Sequence, residues 1–247
     1  MTQNKLQLNE DKTEAFLVTT SSCDKEPPVT TSSCDKEPPV SIQIRSSIVP
    51  FVKNVENFGI ALDLKLCIKE QVNKVCQMAY WELRKISSAR RCLTDKAAKT
   101  LVVSLVLSRL DYGSCLLAGV PDYLLHKPLK VQNASACLIV KLARREHSKP
   151  LLRELHWLPI TDCIKYKLSC KWYAAVTDSN PHYLAELLQT YIPSRTLRSA
   201  ADRHNFKIPS CKKRGTSQRS FPYQGPVIWN NLPFSFRRSE TYPSNRS

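Results

Sequence analysis

Leu66-Cys67-Ile68-Lys69-Glu70-Gln71-Val72-Asn73-Lys74-Val75-Cys76-Gln77-Met78-Ala79-Tyr80-Trp81-Glu82-Leu83-Arg84-Lys85-Ile86 is the stretch on which the fold class turns. Leu66, Val72, Val75, Cys76, Ala79, Leu83 and Ile86 recur at three- and four-residue steps, the signature of an amphipathic helix of about six turns. The same period continues downstream. Thr94-Asp95 reads as a cap for a second helix that places Ala97, Ala98, Leu101, Val102, Leu105 and Leu110 inside. Pro121-Asp122 starts a third segment, expected to break at Pro128 and resume from Leu129 to Leu142. Ser148 caps a short helix carrying Leu151, Leu152 and Leu155, ended by Pro159. Thr161-Asp162 opens another with Ile164, Leu168, Trp172 and Ala175 on one face. Asn180-Pro181 has the form of a helix start leading into Leu184, Leu187 and Leu188.

Upstream of Leu66 the pattern is different. Phe16-Leu17-Val18 reads as a short strand, Ile42 to Val55 alternates weakly, and Phe58-Gly59-Ile60-Ala61-Leu62-Asp63 reads as a strand entering a turn. Residues 19–29 recur identically as residues 30–40. Two copies of an 11-residue unit rich in Pro, Ser and Thr indicate a tandem duplication in a disordered loop rather than a solenoid. Beyond Pro193 periodicity fades. The expected organisation is therefore a short β-containing segment at 1–18, the duplication at 19–40, and a further β segment at 41–64. A helical bundle over 65–190 and a basic, largely irregular tail over 191–247 complete a mainly α chain.

Charge follows the same division. The formal net charge is +16. Residues 1–60 hold 6 basic and 8 acidic side chains, whereas residues 61–247 hold 31 basic against 13 acidic; from Ser194 onward there are 11 basic and 2 acidic. A concentrated basic field attracts polyanions, and RNA or DNA is the commonest intracellular one. Within the tail, Lys212-Lys213-Arg214 and Arg219, with Phe221, Tyr223 and Trp229 interleaved, form the best binding candidate, since cations contact phosphates while aromatics stack on bases. The bland alternatives are a nuclear-import signal or a solvated surface.

Several chemistries find no support. The sequence contains no Asp-Asp pair, and Glu10-Asp11 is its only adjacent acidic pair. There is no Cys-x-x-Cys for zinc, and no Gly-x-Ser-x-Gly elbow for Ser/His/Asp hydrolysis. No cofactor is expected. The longest apolar run, Leu101 to Leu107, is interrupted by Ser104 and falls far short of the ~20 residues that span a bilayer, so no membrane association is expected. No secretory signal opens the chain, and ten cysteines, several on apolar helical faces, read as reduced thiols acting as small hydrophobes. An intracellular location, nuclear or cytoplasmic, follows. His156-Trp157 reads as a helix-end core anchor rather than a base-stacking pair. Asp111 is expected to pair with a neighbouring Arg while Tyr112 packs.

Six blocks stand out in order along the chain. They are Ser108-Arg109-Leu110-Asp111-Tyr112, then Leu116-Leu117-Ala118-Gly119-Val120-Pro121, then Val131-Gln132-Asn133-Ala134. Leu152-Arg153-Glu154-Leu155-His156-Trp157-Leu158-Pro159 follows, then Pro193-Ser194-Arg195-Thr196-Leu197-Arg198-Ser199, and last Gly225-Pro226-Val227-Ile228-Trp229-Asn230-Asn231-Leu232-Pro233. In order and approximate spacing, over residues 57–238, they resemble the C-terminal part of the reverse transcriptase of jockey-like LINE (non-LTR) retrotransposons. The resemblance implies that residues 1–18 are a late-palm remnant, in which residues 6–14 are similar to the family segment just after the catalytic aspartates and Lys12 takes the place of a lysine thought to assist pyrophosphate departure. It implies a primer-grip hairpin at 57–63 and thumb and post-thumb helices from Leu64 to about Gln189. Arg195 and Arg198 join the tail residues as nucleic-acid contacts.

The departures are specific. The fingers and the catalytic aspartate pair, which lie upstream in the family, are not in this sequence, and neither is the family's endonuclease. Cys137 and Cys163 stand where the family usually has arginines, and Gly113 replaces a usual Cys. The intact family enzyme needs Mg²⁺; these residues offer no carboxylate pair to hold it. The resemblance thus implies a truncated remnant of an RNA-directed DNA polymerase without polymerase activity, retaining nucleic-acid binding, with the upstream polymerase domain as its natural packing partner. The alternative is a non-enzymatic basic helical module that binds RNA or protein.

Overall fold

The computed structural model describes residues 13–18, 41–44, 47–141, 148–177, 181–192, 205–211, 216–233 and 237. The described residues are mainly helical, with two small antiparallel two-stranded sheets. The chain divides into two compact units, residues 1–71 and 72–247, a boundary slightly later than the change of period at Leu66.

In the first unit, β1 (Ser41–Ile44) pairs with β2 (Ser47–Pro50), and β3 (Asn54–Asn57) with β4 (Ile60–Asp63). The second hairpin turns on Phe58 and Gly59, both at positive φ (49° and 75°), as a two-residue loop of right-handed twist requires. Of the stretch expected as a strand from Phe58, only Ile60–Asp63 is therefore extended. Phe16-Leu17-Val18 forms no strand; the neighbouring Ala15 makes an isolated parallel bridge to Phe51. After β4 the chain is tied down locally. The Ile68 amide donates to Asp63 Oδ1 (2.9 Å), and the Ala61 amide to Gln71 Oε1 (2.9 Å).

The second unit is built from the predicted helices. α1 (Lys69–Ala89) buries Val72, Cys76, Ala79, Leu83 and Ile86 on one face, as its spacing dictates. Thr94 caps α2 (Asp95–Val102), its hydroxyl accepting from the Ala97 amide at 3.2 Å. The helix then widens into a π-helical turn (Val103–Leu107) before α3 (Ser108–Asp111). That turn changes which residues face inward. Ala98, Val102, Val106 and Leu110 are buried at four-residue spacing, whereas Leu105, expected inside, is 37% exposed. An unbroken 3.6-residue helix would rotate this series off one face; the wider turn keeps it aligned. Ser104 and Thr100 hydroxyls donate back to the Thr100 and Lys96 carbonyls (2.9 and 3.1 Å), a pattern that bends helices.

α4 (Asp122–Val140) runs through Pro128 without the expected break. A proline removes one backbone donor, and here the buried face on both sides of it (Leu124, Val131) holds the helix together. α5 (Ser148–Glu154), α6 (Ile160–Thr177) and the single turn α7 (His182–Ala185) follow. The tail is less irregular than its sequence suggests. A ten-residue helix, α8 (Phe221–Asn230), packs on α6 despite Pro222, Gly225 and Pro226. Propensity disfavours this helix; packing against α6 makes it.

One large core joins α1 through α6, and a second, aromatic one gathers Trp172, Val176, Phe206 and Trp229. Cys67, in the first unit, takes part in a disulfide, a departure from the expected reduced cysteines. Cys67 is as buried as Cys76 and Cys137, which are free thiols. Burial pushes the Cys76 thiol up to about 11, so it stays protonated and inert near neutral pH.

Candidate nucleic-acid interface

Several of the signature blocks lie at joints of the helical unit; the block at 193–199 lies outside the described residues. Leu155-His156-Trp157-Leu158-Pro159 carries the chain out of α5 through a tight C-terminal turn. The Trp157 amide donates to the Leu152 carbonyl (2.7 Å) and the His156 amide to that of Arg153 (3.0 Å). His156 sits in the left-handed region (φ 56°). This places Trp157 half-buried against the core and leaves His156 exposed, in line with a helix-end anchor. Gln132 of α4, itself buried, then clamps the exit. Its amide donates to the Leu158 carbonyl (2.9 Å) and its oxygen accepts from the Ile160 amide (3.0 Å). Asp111 pairs with Lys167 of α6 rather than with an Arg, because the chain's turn at Tyr112 brings it against that helix. Tyr112 is 58% exposed, where packing was expected.

The last block works the same way. Asn230 holds the backbone of Phe206 at both ends: its Oδ1 accepts from the Phe206 amide (3.0 Å) and its Nδ2 donates to the Phe206 carbonyl (2.9 Å). Trp229 is 4% exposed and meets Phe206 edge-on at 5.9 Å. It therefore cannot stack on a base, which corrects its placement among the nucleic-acid contacts. The flanking leucine and isoleucine were the signal that it belongs to a core. Arg219 is also engaged structurally, its guanidinium donating to the Leu116 carbonyl of the second block at 3.2 Å. Lys12, Arg195, Arg198, Lys212, Lys213 and Arg214 lie outside the described residues. The glycosylation-like triplet Asn133-Ala134-Ser135 is inside α4 with Ser135 fully buried.

The described residues of this unit form at least two concavities. One, of about 420 Å³, lies between the first and fourth blocks and is mostly apolar, lined by Val103, Leu107, Leu110, Trp157 and Leu158 with Cys163 at its edge. Burial, then the negative charge of Asp111, raises the Cys163 thiol above its ordinary value. Another, of about 660 Å³, runs between α1 and α4 and is basic. Tyr80, Arg84, Ser87, Arg90 and Arg91 line one side; Ala134, Cys137, Leu138 and Lys141 line the other, and no carboxylate is among the lining residues. Sequence reasoning missed this groove. Arg84 lies near the end of α1, and Arg91 in the 3-10 turn (Arg90–Cys92) that follows it. The clustering of Arg84, Arg90 and Arg91 was the available signal.

The cations near the groove differ in what neutralises them. Glu82 takes Lys85 (3.1 Å) and Arg109 (3.5 Å), and Lys85 also lies over the Trp81 ring at 3.2 Å. Asp95 takes Arg90 and, at 3.6 Å, Lys141; the Arg90 guanidinium, then Lys141, holds the Asp95 carboxyl below its ordinary value. Arg84 and Arg91 are exposed and have no ion pair or hydrogen bond with a described residue.

Among the described residues no helix is long and apolar enough to cross a membrane, and no three His, Cys, Asp or Glu side chains are grouped to hold a metal ion. No protein-family model, curated protein or solved structure matches the chain.

Proposed function

We propose that these residues correspond to the C-terminal part of a jockey-like LINE reverse transcriptase, a late-palm hairpin followed by thumb-like and post-thumb helices, and that their function is nucleic-acid binding without polymerase activity. One observation carries the reading. The blocks on which the resemblance rests include residues that join the helices: Gln132 on the Leu158 turn, Leu116, whose carbonyl accepts from Arg219, and Asn230 on Phe206. Residues with such roles are what a shared fold would keep in order and spacing. The hairpin over Asn54–Asp63 also stands where the resemblance puts a primer grip.

Binding follows from charge. Residues 72–247 carry most of a +16 excess, and part of it lines a groove without carboxylates. Phosphoryl transfer does not follow. The family's Mg²⁺ ions need converging carboxylates, and the sequence has no Asp-Asp pair; its residues do not fit the metal. Primer extension on an RNA template with the purified chain and Mg²⁺ is expected to yield no product above a no-protein control. Robust Mg²⁺-dependent extension would overturn the non-catalytic part of the proposal.

A further inference from the structure

We infer that the groove between α1 and α4 is a binding site for single-stranded nucleic acid, with Arg84 and Arg91 on phosphates and Tyr80 against a base. The inference rests on the nucleic-acid reading above and assigns it a place on the helical unit. Three features converge. Arg84, near the end of α1, and Arg91, in the 3-10 turn that follows it, are exposed guanidinium groups lining the groove, unpaired among the described residues, while neighbouring Lys85, Arg90 and Arg109 are each matched by a carboxylate. Guanidinium groups left without internal partners suit phosphate oxygens, which they bind through two parallel hydrogen bonds. Leu83 and Leu138 add apolar contacts to the groove lining, and Tyr80 adds an aromatic ring. A double helix presents its phosphates outward and buries its bases, so it leaves such apolar and aromatic contacts unused. An unpaired base makes them. A volume near 660 Å³ is that of a pre-formed small-ligand cleft, large enough for a base and its sugar.

The test is fluorescence anisotropy of a labelled oligo(U) with the full chain across a salt series, beside a length-matched RNA duplex and an oligoglutamate competitor. Arg84→Ala/Arg91→Ala is expected to weaken oligo(U) binding at least about tenfold at low salt. It should also flatten the slope of log K against log[salt] by about 1.4, two phosphate contacts at roughly 0.7 each. Lys165→Ala/Lys171→Ala, which removes the same charge from exposed positions of α6, should change the slope far less. Circular dichroism confirms that each variant folds. Equal losses in the two double variants, or none in the arginine pair, would overturn the site while leaving nucleic-acid binding intact. Tighter binding of the duplex, or equal displacement by oligoglutamate, would overturn single-strand recognition. Failure of the unaltered chain to bind any nucleic acid at low salt would remove the functional reading along with the site.

Discussion

Gly225→Ala is expected to destabilise the helical unit by about 3 kcal/mol, the upper range for overpacking a filled core. Gly225 lies inside α8, where exchanging Gly for Ala ordinarily stabilises a helix by about 1 kcal/mol. Packing reverses the sign. A Cβ built on Gly225 would stand 1.9 Å from Trp172 Cε3 and 2.3 Å from Cζ3, so either the indole or the helix must move. The indole has little room to do so. Trp172 is 1% exposed, with Phe206 and Phe221 each 5.2 Å from it. Urea denaturation followed by tryptophan fluorescence measures the cost, and Gly59→Ala is the contrast. At Gly59 nothing lies within 4 Å of an added Cβ, and only the positive φ of 75° is strained, for about 1 kcal/mol. A Gly225→Ala variant as stable as the parent would mean that α8 does not sit on Trp172 as described.

Arg90→Ala is expected to cost a similar amount, about 3 kcal/mol, for a different reason. Arg90 is a buried cation whose Nε and Nη2 donate to the Leu138 and Ile139 carbonyls (3.0 and 2.7 Å) at the C-terminal end of α4, and whose Nη1 donates to the Leu93 carbonyl (2.8 Å). It thus ties the turn after α1 to the negative end of a helix dipole. Its ion pair with Asp95 contributes little by comparison, because that carboxylate is 71% exposed. The pH dependence separates the two. Asp95 has a lowered pKa in the fold, so its share is present above its ordinary value of 3.8 and lost as pH falls through the lowered one. The cost of Arg90→Ala should therefore be the same at pH 7 and pH 5 and fall only slightly below the lowered Asp95 value, where the ion pair is gone and the carbonyl bonds remain. Arg90→Lys should recover only part of it, since one ammonium cannot reach three carbonyls and a carboxylate. A cost under 1 kcal/mol that vanishes in high salt would assign Arg90 to the ion pair instead.

The helices with continuous apolar stripes were legible in the sequence. Val72 to Ile86 gave α1 its length and its buried face, and Thr94 gave α2 its start. Errors arose where tertiary packing overrode a local rule. Pro128 reads as a breaker, yet α4 passes through it because its flanks are buried. Val106 replaces Leu105 in the core because a π-turn changes the register, and periodicity assumes a constant 3.6 residues per turn. α8 was illegible because Pro222, Gly225 and Pro226 oppose a helix, and the partner that compensates, Trp172, lies about fifty residues upstream. Trp229 was misplaced for a related reason: an aromatic among basic residues suggests stacking, but its neighbours in space are Phe206 and Trp172. The basic groove was legible only in part. The arginine clustering is in the sequence, whereas the distribution of Glu82 and Asp95 among competing cations is a property of the fold.

Nucleic-acid binding by the helical unit is tested most directly by filter binding of the intact chain to RNA between 50 and 300 mM salt, roughly the range over which phosphate contacts weaken. Affinity that falls steeply and linearly in log[salt], with a slope of several units, is the expected result. No retention of RNA at the lowest salt would contradict it.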